Sequence, residues 1–226
     1  MSASYQDGPG RPISPAEETR PVRPVRRRQE DRSRDAREKL LNATIEVLLR
    51  KGYNGLTTKD VALAAGLSNG ALMHHFTTKA ELVVAATAKV YEEALERGQR
   101  VARTEQAVHQ PLEGFLTDCL SVYFDWPFVA ALEVIVVART DPGLMEQMLP
   151  VMEEFRVNCD RTWLEVFGRA GVPEAKATRL LNLTLNLVRG MAVNRLWRHD
   201  DAHYRQFLDD WLAIANRELR SATPLT

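Results

Sequence analysis

The sequence predicts an all-α protein of about nine helices, in which a small N-terminal head precedes a larger helical body. From Asp31 almost to the end of the chain, apolar residues recur at the three-to-four-residue spacing of amphipathic helices, and no segment alternates like a half-buried strand. The composition is 45% hydrophobic and 27% charged over 226 residues, which is ordinary for a globular protein with a real core.

The chain divides into three predicted parts. Residues 1–30 are rich in Pro, Gly and Arg and poor in apolar side chains, so we predict a disordered basic arm. Residues 31–78 form the head and residues 79–226 the body. The formal net charge is zero, but residues 1–80 carry 14 Lys and Arg against 9 Asp and Glu. A basic front on an acidic body suits a head that binds a polyanion.

The arm allows two interpretations. Its arginines could lie along the minor groove or the phosphates of DNA, as homeodomain arms do. The alternative is a solubilising tail. The basic residues concerned are Arg20, Arg23, Arg26, Arg27, Arg28, Arg32 and Arg34.

Four helices are predicted before residue 102. The first follows an apolar stripe and ends at Gly52. The second follows an N-cap pair, Thr57 and Asp60, and ends at Gly66. Ser68 caps a third helix to about Phe76. Thr78 and Glu81 form a capping box that opens a long fourth helix to about Val101. Five more helices are predicted near 110–124, 127–139, 142–170, 174–197 and 200–221, with Pro127, Pro142 and Pro173 near helix starts.

The turn between the second and third helices meets the requirements of a helix-turn-helix. Ala62 and Ala65 are small enough for the helices to cross closely, Gly66 permits a positive φ, and Leu67 plugs the gap. The outward residues of the third helix are small or polar, which suits entry into a major groove. The head is therefore predicted to bind double-stranded DNA.

An ordered set of residues within about 34–85 resembles the signature of the TetR family of repressors. The set is Gly52-Tyr53, Leu56-Thr57-Thr58, Val61-Ala62, Ala65-Gly66-Leu67-Ser68, Gly70, His75-Phe76, Lys79 and Leu82. The resemblance implies a three-helix helix-turn-helix DNA-binding head on a C-terminal ligand-binding and dimerisation body. It also implies a ligand-responsive transcriptional repressor that binds a palindromic operator as a dimer.

The resemblance further implies a set of DNA-contacting residues. Thr58 is expected at a phosphate, Lys59 at a phosphate or base edge, and Lys79 at the flanking phosphate. Met73 replaces the family's usual tyrosine, and a thioether cannot donate a hydrogen bond to phosphate; His74 is the candidate to compensate. The full set is Thr58, Lys59, Ser68, Asn69, Gly70, Ala71, Met73, His74, His75 and Lys79. Thr57 is expected to serve as a cap, and Leu72 and Phe76 to pack in the core.

Large, soft apolar side chains are concentrated in the middle of the body. Most are expected in the core, but Met and aromatic groups also line adaptable pockets, and the resemblance implies a cavity there for an unknown, largely apolar effector. The candidate ligand-binding residues are Phe115, Cys119, Tyr123, Trp126, Phe128, Met148, Met152, Phe155, Cys159, Trp163 and Asn186. Asn182 and Asn186 lie one turn apart and provide polar anchors or face solvent or a dimer seam.

No cofactor and no metal site are predicted. His74 and His75 are neighbours on a helix and point about 100° apart, and His199 and His203 are expected to straddle a turn. Cys119 and Cys159 are expected to be buried, inert thiols, with a redox switch as the weaker alternative, because no basic neighbour in sequence would lower a thiol pKa.

The last two predicted helices carry a wide apolar surface. A four-helix bundle across a two-fold axis would cover it, and in the TetR family these helices typically pair, so we predict a homodimer. The residues concerned are Leu180, Leu183, Leu187, Val188, Met191, Phe207, Leu208, Trp211, Leu212, Ala215 and Leu219.

The remaining expectations concern location and rival functions. The apolar stretches are too short to span a bilayer and the N-terminus lacks the pattern of a signal peptide, so we expect a cytoplasmic protein with no membrane partner. An enzyme is disfavoured because no phosphate loop, metal-spaced cluster or nucleophile motif is found. The other rival is a helical carrier or interaction module that has lost DNA binding, to which Met73 lends support.

Overall fold

The structure is a computed structural model that describes residues 24–124 and 127–221. All regular structure in these two ranges is α-helical, which confirms the all-α prediction. The helices are α1 (Pro24–Gly55), α2 (Thr58–Ala64), α3 (Asn69–His75), α4 (Lys79–Ala102), α5 (Glu105–His109), α6 (Pro111–Tyr123), α7 (Pro127–Ala138), α8 (Pro142–Arg169), α9 (Glu174–Asn194) and α10 (Asp201–Arg220).

Over the described ranges, the structure contains one helix more than the sequence predicts. The structure has a tenth helix, α5, whose N-cap Thr104 accepts a hydrogen bond from the backbone N–H of Ala107 at 3.2 Å. A helix of five residues is too short to establish a periodic apolar pattern, so it could not be predicted from the spacing of apolar residues.

The predicted arm covers residues 1–30, of which 1–23 lie outside the described residues. Residues 24–30 belong to α1, so the helix begins seven residues earlier than the predicted Asp31. Proline is tolerated in the first turn of a helix, and Arg, Gln and Glu are good helix formers even without an apolar stripe. Residues 1–35 form a separate unit from residues 36–226, and in its described part Arg34 pairs with Asp31 at 2.9 Å.

The buried apolar side chains of residues 36–226 form two clusters. We call the first the head-side core; it contains buried residues from Leu40 to Tyr53 of α1, Leu56 after it, and residues of α2, α3, the start of α4, α7 and the first turns of α8. The second, the body-side core, contains the end of α4, α5, α6, the second half of α8, α9 and α10. Helices α4 and α8 pack against each other and contribute to both clusters. The head helices therefore share their core with α7 and with the N-terminal part of α8.

None of the helices in the described ranges is long and apolar enough by itself to cross a membrane. By length and composition alone, the bent pair formed by residues 111–123 and 128–138 would qualify together, at an angle of 71°.

Candidate nucleic-acid interface and body cavity

The turn between α2 and α3 has the predicted backbone. Gly66 has a φ of +66°, and a Cβ atom added there would meet nothing within 4 Å, so the requirement for glycine comes from the backbone conformation. The N–H of Leu67 donates to the carbonyl of Ala62 at 2.9 Å, and the Leu67 side chain packs against the head-side core. The turn thus closes α2 and holds α3 against it.

Side-chain caps fix the start of each short helix. Thr57 accepts a hydrogen bond from the N–H of Asp60 at 3.2 Å, and its hydroxyl donates to the Asp60 carboxylate at 2.8 Å. Lys51 of α1 donates to the same carboxylate at 2.8 Å, and this bond is the largest cause of the lowered pKa of Asp60, followed by the bond from Thr57. Ser68 accepts from the N–H of Ala71 at 3.1 Å. The predicted capping role of Thr57 is confirmed.

Helix α3 has one buried and one exposed face. Leu72 and Phe76 are 0% and 2% exposed and belong to the head-side core, as the sequence predicts. The exposed surface of α3 carries Gly70 and His74 opposite Leu72, and Asn69 at the first turn. Met73 shares this exposure at 43%. The structure therefore presents outward a face of small and polar groups that also holds one thioether.

Lys79 lies at the first residue of α4, where the N–H groups of a helix attract anions. Thr78 accepts from the N–H of Glu81 at 3.0 Å, while the Glu81 carboxylate accepts from the N–H of Thr77 at 2.9 Å. The Lys79 ammonium lies 4.4 Å from the centroid of the Tyr53 ring, and partial burial lowers the pKa of Lys79. A cation is thus held at the N-terminus of α4, four residues after the end of α3.

The ten predicted DNA-contacting residues are all at least partly accessible. Thr58, Ala71, His75 and Lys79 are half-buried and the others exposed. All ten lie within Thr58–Lys79, on α2, the following turn, α3 and the first residue of α4. Their role as DNA contacts stays a prediction.

Five of the predicted ligand-binding residues line one inner cavity of the body. They are Phe115, Cys119, Tyr123, Phe155 and Cys159, and the cavity is completed by Asp118, Val122, Arg156, Asp160 and Leu185. Its volume is about 20 Å³, which is room for about one water molecule. A drug-sized ligand needs roughly 300 Å³ or more, so the cavity must widen before it can hold one.

The other predicted ligand-binding residues lie around this cavity or away from it. Phe128 contacts the Tyr123 ring edge-on at 4.9 Å, and Trp163 contacts Phe115 at 5.4 Å. Met148 is buried in the head-side core, and Met152 packs against that core. Trp126 lies outside the described residues.

Asn186 was a candidate polar anchor, but its side chain is exposed on α9 and donates to the carbonyl of Asn182 at 2.9 Å. Asn182 accepts a hydrogen bond from Arg156 at 2.8 Å. The two amides lie one helical turn apart on the same exposed side of α9. Neither residue lines the inner cavity.

Asp118, which no sequence motif singles out, is the polar centre of this region. Its carboxyl is 5% exposed and accepts a hydrogen bond from the indole N–H of Trp163 at 2.7 Å. Burial raises the pKa of Asp118 to about 6, against the opposing effects of the Trp163 bond and the charge of Arg97. A Cβ atom at Gly98 of α4 would lie 2.6 Å from this carboxylate, so α4 approaches α6 closely at Gly98.

A wider cleft lies between α4 and α8. It has a volume of about 340 Å³ and is lined by Ala88, Tyr91, Glu92, Leu95, Val151, Glu154, Phe155 and Asn158. Tyr91 and Phe155 stack at a centroid distance of 4.6 Å. Phe155 also lines the inner cavity, so this one ring stands between the cleft and the cavity.

Both cysteines are free thiols; Cys119 is buried as predicted, whereas Cys159 is only partly buried. Burial raises the pKa of Cys119 well above its ordinary value and that of Cys159 to about 12. A thiol that stays protonated at neutral pH is a poor nucleophile, which agrees with the predicted inert role. In the described part of the chain, no three His, Cys, Asp or Glu side chains are grouped to hold a metal ion.

The predicted dimer surface divides into two sets of residues. Leu180, Val188, Met191, Leu208 and Ala215 are at most 9% exposed and belong to the protomer's own core, so they are not available to a partner. The apolar groups that remain accessible are Leu183 and Phe207, at 50% and 42% exposure, together with the partly buried Leu187, Trp211, Leu212 and Leu219 and the additional Ile214 at 54%.

A short helix-turn-helix with a polar exposed face, carried on an all-α body, defines a transcriptional regulator of the helix-turn-helix class. The model of the family described as bacterial regulatory proteins, tetR family, matches residues 40–86. The transcriptional regulator CymR of Pseudomonas putida is 35% identical over 192 residues, which cover 85% of this chain and 95% of CymR. The chain belongs to the TetR family.

Solved structures share the fold at low sequence identity. A TetR-family regulator from Mesorhizobium loti superposes with a TM-score of 0.64 at 16% identity and covers 81% of this chain and 96% of its own. FadR of Bacillus subtilis, solved in complex with stearoyl-CoA, has a TM-score of 0.55 at 15% identity and covers 80% of this chain and 95% of its own.

Proposed function

We propose that the protein is a ligand-responsive repressor that binds a palindromic operator as a homodimer. The observation that carries the proposal is the exposed face of α3, which is backed by the buried Leu72 and Phe76 and accompanied by Lys59 and Lys79. A rigid helix with small and polar outward groups can approach base edges, while the flanking cations neutralise phosphates. Asn69 is the residue on this face best suited to read a base edge.

The accessible apolar groups of α9 and α10 support pairing through these two helices. Leu183, Phe207 and Ile214 are all 42–54% exposed, and an isologous four-helix bundle would remove them from water. Such a dimer places two α3 helices on one face of a duplex. The expected operator is an inverted repeat with half-sites separated by about one helical turn, roughly 34–36 Å, or somewhat further.

The inner cavity and the α4–α8 cleft together support an effector site. Rotation of the Phe155 ring would join them, and the joined volume would suit a small, largely apolar molecule. FadR, a protein of the same fold, was solved in complex with stearoyl-CoA. Because Phe155 stacks on Tyr91 of α4, an effector that displaces Phe155 favours a different position of α4 and hence of the head. This differential fit is the basis of release from DNA.

The test is selection of bound duplexes from a random pool, followed by sedimentation of the complex. We expect an inverted-repeat consensus and two protomers per duplex. The affinity should fall steeply with salt, as phosphate contacts require. A protein that retains only weak, salt-labile binding without a consensus would be a carrier or interaction module instead, and the proposal would fail.

A further inference from the structure

Helix α7 carries a single charged residue. Its sequence from Pro127 to Ala138 is apolar except for Glu133, which is half-buried. Ala130, Val134 and Ala138 of the same helix lie in the head-side core. A carboxylate on such a helix requires a specific partner, because leaving it unpaired beside a core is costly.

The partner of Glu133 is the backbone of the head. Its Oε1 accepts a hydrogen bond from the N–H of Tyr53 at 2.6 Å, across 80 residues of sequence. Hydrogen bonds to an ionised carboxylate are shorter and stronger than neutral ones. A Cβ atom at Gly52 would clash with the same oxygen, and Gly52, with a φ of +67°, is the non-helical residue at which α1 is kinked. Glycine is therefore required here by its backbone conformation, and a side chain at this position would also displace the Glu133 carboxylate.

Tyr53 connects this hydrogen bond to the predicted DNA surface. Its ring is 9% exposed and lies under the Lys79 ammonium at 4.4 Å. Burial raises the pKa of Tyr53, and the negative charge of Asp141, the N-cap of α8, raises it further. The Tyr53 ring thus lies against the Lys79 ammonium and can influence where that cation is held.

The start of α7 contacts the body. Phe128 meets the Tyr123 ring at 4.9 Å, and Tyr123 lines the inner cavity. Phe128 and Glu133 are five residues apart, a distance of about 7.5 Å along the helix axis. One rigid helix therefore contacts the wall of the cavity at one point and the backbone of the head at another.

We propose that Glu133 positions the head for DNA binding: its carboxylate holds the backbone of α1 at the Gly52–Tyr53 kink, and through Tyr53 it holds Lys79 where a phosphate is bound. A ligand that displaces Phe128 moves α7 and breaks this hydrogen bond. This inference rests on the proposed function, and it names α7, in addition to α4, as the element that carries the effector's signal.

Two variants separate the hydrogen bond from the charge. Glu133→Ala removes both, whereas Glu133→Gln keeps an oxygen that accepts from Tyr53 and removes only the charge. Loss of a negative charge by itself would tighten DNA binding, so both variants would bind more strongly if Glu133 acted only through its charge. On the positioning account, Glu133→Ala binds the selected operator about tenfold more weakly and its salt slope falls by about one, while Glu133→Gln stays within about threefold of the wild type.

A double variant tests whether Glu133 acts through Lys79. Lys79→Ala should lower affinity on all duplexes and reduce the salt slope by about one. Adding Glu133→Ala to it should cost little more, because the cation that Glu133 positions is already gone. A purely structural role for Glu133 would instead give additive losses. The matched control is Glu146→Ala, which removes an exposed carboxylate from α8.

Hydrogen exchange of the Tyr53 amide tests the contact without DNA. Glu133→Ala should raise its exchange rate at least about tenfold, and Glu133→Gln should raise it less. This readout also reports on Glu133→Ala if that variant is less stable than the wild type.

The outcomes distinguish this inference from the proposed function. If wild type and Glu133→Ala bind the operator with equal affinity and equal salt slope, the inference is overturned while the repressor function stands. An unchanged Tyr53 exchange rate overturns it as well. If the wild type selects no duplex, the repressor function fails and the inference fails with it.

Discussion

The two cores treat buried polar groups differently. In the head-side core the buried hydroxyl of Thr44 donates to the carbonyl of Leu40 at 2.7 Å. The body buries Asp118 and Lys176, and it also contains every buried side-chain atom without a hydrogen-bond partner among the described residues. These atoms are Arg97 Nε, Asp118 Oδ1, Arg179 Nε and Glu218 Oε1.

This difference corresponds to different roles. A head that must match the fixed spacing of a duplex needs one packing arrangement, and fully satisfied polar groups favour that. A body that responds to an effector needs a second arrangement within reach. The body contains a small cavity, a buried carboxylate oxygen without a hydrogen-bond partner, and a close approach of α4 to α6 at Gly98. A second conformation can fill the cavity, supply a partner for the oxygen and separate the two helices. We therefore expect the body, rather than the head, to change conformation when an effector binds.

The largest effect is expected in the head. Leu72→Ala removes a side chain that is fully buried between α3 and the head-side core, so it should lower the free energy of unfolding by about 2–5 kcal/mol and abolish operator binding. Urea unfolding and a gel shift measure the two effects. Met73→Ala, on the exposed neighbour, should change stability by less than about 0.5 kcal/mol. Equal destabilisation by the two variants would contradict the packing of α3.

A smaller effect, dependent on pH, is expected in the body. The pKa of Asp118 is raised to about 6 in the folded protein from an ordinary 3.8, so the folded state binds the proton more tightly and stability falls as pH rises through this range. Between pH 5 and 8 this costs the wild type roughly 1–2 kcal/mol, which Asp118→Asn should not lose.

Urea unfolding of both proteins at the two pH values gives this difference directly. Asp209→Asn removes an exposed carboxylate from α10 and serves as the control. A wild type and an Asp118→Asn variant with parallel pH profiles would show that the Asp118 carboxyl is not held in an environment that favours its neutral form.

The smallest effect is expected where the two cores are joined by α4. Thr78→Ala removes the N-cap of this helix and should cost about 1 kcal/mol. Thr117→Ala is matched to it, because the Thr117 hydroxyl donates only to the carbonyl of Glu113 within its own helix and caps nothing. We expect that control to stay within about 0.5 kcal/mol of the wild type. Chemical denaturation compares the pair, and a cost at Thr117 as large as at Thr78 would refute the capping role.

Local chemistry explains why the head was predictable. Gly66, Thr57 and Thr78 act on backbone groups within three or four residues, so their roles can be inferred from spacing alone. The site in the body depends on contacts that spacing does not encode. Asp118 and Trp163 are 45 residues apart, and Glu133 and Tyr53 are 80 apart.

Individual misses have similar causes. A Met and aromatic stripe on α8 indicates burial but not which core it enters, so the sequence predicts Met148 at the cavity, whereas the structure has it in the head-side core. On α9, Asn186 lies in a helix with apolar residues on two sides, and only the packed structure decides which side faces outward. The one sequence signal for Glu133 was its isolation as a carboxylate in an apolar run.

The measurement that tests the central claim most directly is operator binding by Gly70→Leu. A Cβ atom at Gly70 meets only Ser68 Oγ, at 3.8 Å, so the variant should fold with unchanged or higher stability, yet a leucine on this face holds α3 away from the bases. Gly168→Leu, at an exposed helical position with nothing within 4 Å, is the matched control. We expect Gly70→Leu to lose at least about 100-fold in operator affinity while the control binds normally. A folded Gly70→Leu variant that binds the operator like the wild type would contradict the entry of α3 into the major groove.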